Sequence, residues 1–162
     1  RDFLEEKGIL HRIADKAIEE ILPGIFVLTA FPRLHKDEII NRRFVLETND
    51  GMAPDDFADE ILIAVETGRG FVILLGCSHP GLKNMLDAAS SLLRGPLYAV
   101  LGGGHLVEAT EDSLTDSIHY LKNSAIEIIG LSHCTGPVAL QKIKNSGAGH
   151  FKSMATGRAL IV

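Results

Sequence analysis

Short apolar runs separated by polar punctuation occupy the first part of the chain. Ile25-Phe26-Val27-Leu28 follows the Pro23-Gly24 turn and predicts a strand, and residues 43–47 predict another that Asn49-Asp50-Gly51 closes. Asp55, Asp56, Asp59 and Glu60 then make an acidic approach to the apolar run 61–65. Glu66-Thr67-Gly68-Arg69-Gly70 reads as a turn into the run 71–75, so two antiparallel strands are expected there.

Beyond that hairpin the period changes. Leu82, Met85, Leu86, Ala89 and Leu93 recur at helical spacing until Arg94-Gly95-Pro96, where proline cannot continue a helix. Residues 97–101 predict a strand. Thr110 predicts the N-cap of a helix with Leu114, Ile118 and Leu121 on one face and Glu111 and Asp112 in its favourable first turn. Residues 126–131 predict a further strand, and residues 136–145 a helix with Val138, Leu140 and Ile143 as packing residues. Gly147 to Gly149 break that helix, and residues 159–162 predict a terminal strand. Strand, loop and helix thus recur, which gives an α/β layer with its loops gathered at strand ends. The opening, from Arg1 to Gly8, reads as a helix closed by glycine, and no methionine begins the chain. A later part of a longer polypeptide is expected.

Composition narrows the function classes. The 162 residues are 46% hydrophobic and 23% charged, enough for one core and incompatible with global disorder. Sixteen Lys and Arg against 21 Asp and Glu leave a net charge of −5 with no basic tract. No nucleic-acid footprint and no anionic-membrane anchor is therefore expected, because both need concentrated positive charge. No apolar run has the length of a membrane span or the form of a signal peptide. Cys77 and Cys134 do not make a secreted disulfide framework, and a cytoplasmic location is expected.

Candidate chemistry sits in the loops after the apolar strands. His79 lies in Gly76-Cys77-Ser78-His79-Pro80-Gly81, His105 follows Gly102-Gly103-Gly104, and His133 lies in Leu131-Ser132-His133-Cys134-Thr135-Gly136. Neighbouring strand ends bring all three towards one mouth of the sheet, where imidazoles suit a borderline metal ion. Each also reads as an ordinary loop hydrogen-bonding residue. The triple glycine reads either as an anion cradle or as close chain packing; it lacks both GxGxxG and GxxxxGK[ST]. Cys77 and Cys134 read as packing residues, thiolate ligands, nucleophiles or a redox pair. Asp59 and Glu60 are placed to bind metal or orient a histidine, while Asp55 and Asp56 read as a solvent turn. His119 reads as a surface residue of a helix; Arg33, Arg42, Arg43, His150 and Lys152 read as solvated residues or anion contacts.

Taken together, Gly76-Cys77-Ser78-His79-Pro80-Gly81, Gly103-Gly104-His105-Leu106 and Ser132-His133-Cys134-Thr135-Gly136 resemble the later half of the metallo-beta-lactamase-fold family. Leu22-Pro23-Gly24-Ile25 and Phe31-Pro32-Arg33 resemble the central region of its 7,8-dihydropterin-6-methyl-4-(beta-D-ribofuranosyl)-aminobenzene-5'-phosphate synthase-like group. The resemblance implies an α/β fold, an αββα sandwich of which residues 1–162 supply the C-terminal portion. It implies a centre of zinc or another divalent transition metal, binuclear when complete. His79 and His133 match metal-binding histidines, and His105 stands where much of the superfamily has a bridging aspartate.

The family's HxHxDH segment is absent from this chain. The expected partner is accordingly the missing N-terminal half or a separate HxHxDH-bearing chain. The complete protein is expected to act as a metal-dependent hydrolase or synthase-like transferase on a small anionic or phosphorylated substrate, with this chain inactive alone. The alternative is a non-enzymatic binding module. Homo-oligomerisation is left open.

Overall fold

The computed structural model describes residues 2–161. After a short helix α1 (Asp2–Glu6), strands β1 (Ile18–Leu22) and β2 (Ile25–Leu28) pair across the Pro23-Gly24 turn, where Gly24 takes the positive φ of 74° that closes it. The hairpin β3 (Val45–Thr48) and β4 (Gly51–Pro54) follows, then β5 (Leu62–Thr67) and β6 (Gly70–Leu75). Helix α2 (Leu82–Leu92), β7 (Leu97–Gly103), α3 (Glu111–Asn123), β8 (Ile128–Ser132), α4 (Pro137–Ser146) and β9 (His150–Phe151) complete the order.

Seven strands form one sheet in the order β1-β2-β5-β6-β7-β8-β9, while β3 and β4 pair only with each other. Pairing is antiparallel from β1 to β6 and parallel from β6 to β9. The change occurs because β6 is the first strand to leave through a crossover helix rather than a tight turn.

Strand alternation explains where the core sits. Phe71 and Ile73 of β6, Val100 of β7 and Ile129 and Leu131 of β8 share a cluster with Leu82, Met85, Leu86 and Ala89 of α2, Leu114 and Leu121 of α3 and Ala139 and Ile143 of α4. Val72, Tyr98, Ala99 and Ile128 form a second cluster on the opposite face, where Leu160 of the terminal segment packs. All three long helices therefore cover one face of the sheet. The described residues make one sheet layer and one helix layer, in keeping with the expected α/β class.

Several boundaries depart from the sequence reading. β1 was not evident, because Glu19 and Glu20 interrupt its apolar pattern; it is a largely exposed edge strand, where charge is tolerated. Val138 is 64% exposed instead of packed, since Ala139 and Ile143 are the pair that the helical period turns inward. Residues 159–161 form no strand, and Val162 lies outside the described residues; β9 takes the sheet edge instead. The expected helix at the start spans Asp2–Glu6, with Arg1 outside the described residues. Among the described residues no helix is long and apolar enough to cross a membrane.

Candidate functional site

Because β6, β7 and β8 are parallel neighbours, the loops that leave them lie side by side at one end of the sheet. Main-chain and hydroxyl bonds stitch the three together. Gly103 N donates to Gly76 O at 2.9 Å, Ser78 Oγ donates to Gly103 O at 2.7 Å, and Gly104 N donates to Thr135 Oγ1 at 2.9 Å. Each loop contains one non-glycine residue in the left-handed region: Ser78 (φ 61°), His105 (φ 47°) and His133 (φ 52°). Such conformations cost energy and persist only where surrounding bonds over-determine them, as here.

These bonds settle the role of the triple glycine. A Cβ at Gly102 would stand 2.2 Å from Leu75 O, and one at Gly103 would stand 2.6 Å from Cys134 Sγ. With the amides of Gly103 and Gly104 already donated within the protein, close packing is the reading that holds, not an anion cradle.

His79 and His105 come together, with ring centroids 4.5 Å apart. Glu60, immediately before the β5 segment, reaches across to His79 Nδ1 at 3.1 Å and accepts weaker bonds from the amides of Ser78 and His79 at 3.3 and 3.4 Å. In the neutral imidazole, a ring proton on Nδ1 donated to this carboxylate leaves the Nε2 lone pair of His79 free. His105 Nδ1 is buried without a partner, and its Nε2 is 3.8 Å from Glu108 Oε2, too far for a hydrogen bond. Burial, aided by neighbouring His79, lowers the His105 pKa and favours its neutral, coordinating form.

An aromatic cover closes over the pair. Phe57 stacks on His79 at 4.0 Å with an interplanar angle of 14°, and Phe44 meets His79 edge-on at 5.5 Å and His105 at 6.1 Å. Phe57 itself has φ 51°, held by the bond from its amide to Asp55 Oδ1 at 2.8 Å. Asp55 and Asp56 are thus turn residues, as one sequence reading had them. Arg43 lies 4.7 Å over the Phe44 ring and pairs with Glu108, while Arg33 donates to the main-chain oxygens of His79 and Asp56. Sequence spacing gave no sign of Phe44 or Phe57, because their approach to the histidines is set by the path of the β3–β4 arm.

His133 is exposed in the adjacent loop, and no ring contact joins it to the other two histidines among the described residues. Cys134 Sγ donates to Cys77 O at 3.3 Å; burial pushes the Cys134 thiol up to about 11, and neighbouring Cys77 adds to the rise. Zinc sites use three or four protein donors. Among the described residues no three His, Cys, Asp or Glu side chains converge to hold an ion. The buried, unpartnered His105 Nδ1 and the Nε2 of His79 are suitable donors, but they are two, so the described residues do not by themselves make a metal centre.

A cavity of about 70 Å³ adjoins His79 and His105. A larger cleft of about 710 Å³ opens between α2 and α3, and none of the three loop histidines lines it. At its wall His35 Nε2 lies 2.7 Å from Asp87 Oδ2, and the Tyr120 hydroxyl donates to Asp87 Oδ1 at 2.6 Å. The adjoining segment is pinned to α2: Glu38 accepts from the amides of Lys83 and Asn84 at 2.8 and 3.0 Å, filling the role that Gly81 cannot play at the helix start.

No protein-family profile matches the chain. It is 30% identical over 148 residues to the 7,8-dihydropterin-6-methyl-4-(beta-D-ribofuranosyl)-aminobenzene-5'-phosphate synthase of Methanocaldococcus jannaschii, covering 86% of this chain and 49% of that protein. An uncharacterized protein of the same organism is 31% identical over 143 residues, covering 88% and 52% respectively. The chain thus spans about half the length of these relatives. Among solved structures, a metal-dependent hydrolase of the beta-lactamase superfamily superposes with a TM-score of 0.87 at 27% identity, over 93% of this chain and 58% of that one.

Proposed function

This chain has the fold of metallo-beta-lactamase-superfamily proteins, and we propose that it is the C-terminal part of a metal-dependent enzyme whose site is completed by an HxHxDH-bearing segment, on the same polypeptide or on a separate chain. The pairing of His79 with His105 beneath Phe44 and Phe57 is the observation that carries this reading. Towards a divalent transition metal such as zinc this part contributes the paired His79 and His105, with His133 in the adjacent loop as a third donor that the completing segment would have to draw in. When bound, that metal would supply stabilisation of the negative charge that develops on an oxygen.

The chain's own residues account for the surroundings of such a site. Glu60 orients the His79 ring, burial favours the neutral form of His105, and the two phenylalanines pack over the pair. Arg33 and Arg43 beside the aromatic cover suit a small anionic or phosphorylated substrate. Hydrolysis and synthase-like group transfer are both within this class, since each of the two kinds of relative carries one of those descriptions. A cytoplasmic location accords with two free cysteines.

The test is co-expression of this chain with an HxHxDH-bearing segment from a relative, followed by metal analysis of the purified assembly and assay of phosphoester hydrolysis and dihydropterin transfer. Stoichiometric metal and turnover, both lost on His79→Ala, are the expected result. An assembly that binds neither zinc nor another transition metal would overturn the reading and leave a binding module, the alternative favoured by the two-donor set.

A further inference from the structure

Both cysteines of the chain lie in the strand-end loops, and the proposed metal chemistry uses neither. Cys77 lies just past β6 and Cys134 just past β8, and both are half-buried free thiols. Strand β7 runs between those two strands, so a side chain on the middle strand would ordinarily keep such residues apart. Here the middle strand ends in Gly103. The Cβ that Gly103 lacks would stand 2.6 Å from Cys134 Sγ and 3.3 Å from Cys77 Cα. Through that gap Cys134 Sγ reaches Cys77 O at 3.3 Å, across 57 residues of sequence. Cys134 Sγ thus lies against the Cys77 residue itself, whose own Sγ moves by rotation about Cα–Cβ.

We infer that Cys77 and Cys134 form a dithiol site for oxidative modification, closing to a disulfide that ties the loop after β6 to the loop after β8. The oxidant is a small-molecule disulfide of the glutathione type. One cysteine attacks it and releases the first small thiol; the second cysteine then attacks the mixed disulfide and releases the other. One S–S bond breaks and one forms, and the two cysteine protons leave on the two small thiols. The bridge fixes the loops of His79 and His133 relative to each other.

The experiment uses the protein as isolated from its cell, equilibrated with defined ratios of oxidised to reduced glutathione, quenched in acid and analysed by intact mass and non-reducing peptide mapping. The expected product is lighter by two hydrogens, carries a peptide cross-linked through Cys77 and Cys134, and reverts with dithiothreitol. Cys77→Ser and Cys134→Ser should each instead retain one glutathione as a stable mixed disulfide. The inference is overturned if the unaltered protein accumulates mixed disulfides as the variants do. It is equally overturned if both thiols stay unreacted in the folded protein and react once it is denatured.

Discussion

Glu60 shows how much of the site depends on one carboxylate. It holds the His79 ring and two adjoining amides at once, so its removal frees the imidazole to turn and leaves those amides without their acceptor. On the proposed reading, Glu60→Ala should weaken metal binding by the completed protein by about 10- to 100-fold, the usual effect of losing a group that orients a ligating histidine; competition with a chelator measures it. Gly103 is the steric counterpart. Gly103→Ala would drive a methyl group into Cys134 Sγ at 2.6 Å and Gly76 O at 2.7 Å, and should cost about 1–3 kcal/mol by urea unfolding. At Gly68 a Cβ meets nothing within 4 Å, so Gly68→Ala should instead stabilise by about 0.4–1 kcal/mol. Equal losses for the two variants would refute this account of Gly103.

At the scale of elements, the start of α2 depends on a carboxylate from a distant segment. Burial raises the Glu38 pKa against the opposing pull of the Lys83 and Asn84 amides. The folded protein therefore holds that proton more tightly than the unfolded chain does, and stability falls as pH rises from about 4.5 through the raised native value. Asp37 works in the other direction. Burial opposes its ionisation, but bonds from Lys83 and Ser113 outweigh it and lower its pKa, so its contribution is present above the ordinary aspartate range and is lost as pH falls through the native value. Glu38→Gln should flatten the decline above pH 4.5 and leave the acid limb unchanged, as urea midpoints across pH would show.

The elements that sequence made legible are those whose own residues carry the pattern. The α2 stripe of Leu82, Met85, Leu86 and Ala89, the Thr110 cap of α3 and the β5–β6 turn all stand where spacing and turn chemistry placed them. The histidine loops were legible for the same reason, since each follows a strand. What stayed hidden was tertiary. Neither Glu38 nor Phe57 announces in its own neighbourhood that it will meet α2 or His79, and β4 was concealed because Gly51 and Pro54 leave it without an apolar alternation.

Over the whole molecule, the two faces of the sheet are unequal. Leu86 is fully buried under the helices, and Leu86→Ala should cost about 2–5 kcal/mol. Leu74, on the strand face opposite Ile73, is 37% exposed. A completing segment that packs on this side, beyond the cluster of Val72, Tyr98, Ala99 and Ile128, would cover Leu74. Leu74→Glu should leave the stability of this chain within about 0.5 kcal/mol, yet reduce its capture of that segment in a pull-down. Unimpaired capture would place the joining surface elsewhere.

The change of strand direction at β6 also carries a consequence for the order of assembly. Hairpins β1–β2 and β5–β6 join neighbours in sequence, whereas β7 and β8 dock only after an intervening helix has been traversed. Near neighbours meet sooner than distant ones, so the β1–β2 and β5–β6 hairpins should gain amide protection first in a pulsed-exchange refolding experiment, ahead of the longer-range β2–β5, β6–β7 and β7–β8 pairings. A newly made chain would then hold two separate hairpins before the loop of His105 comes to lie against that of His79, so the histidine pair would be among the last features to mature.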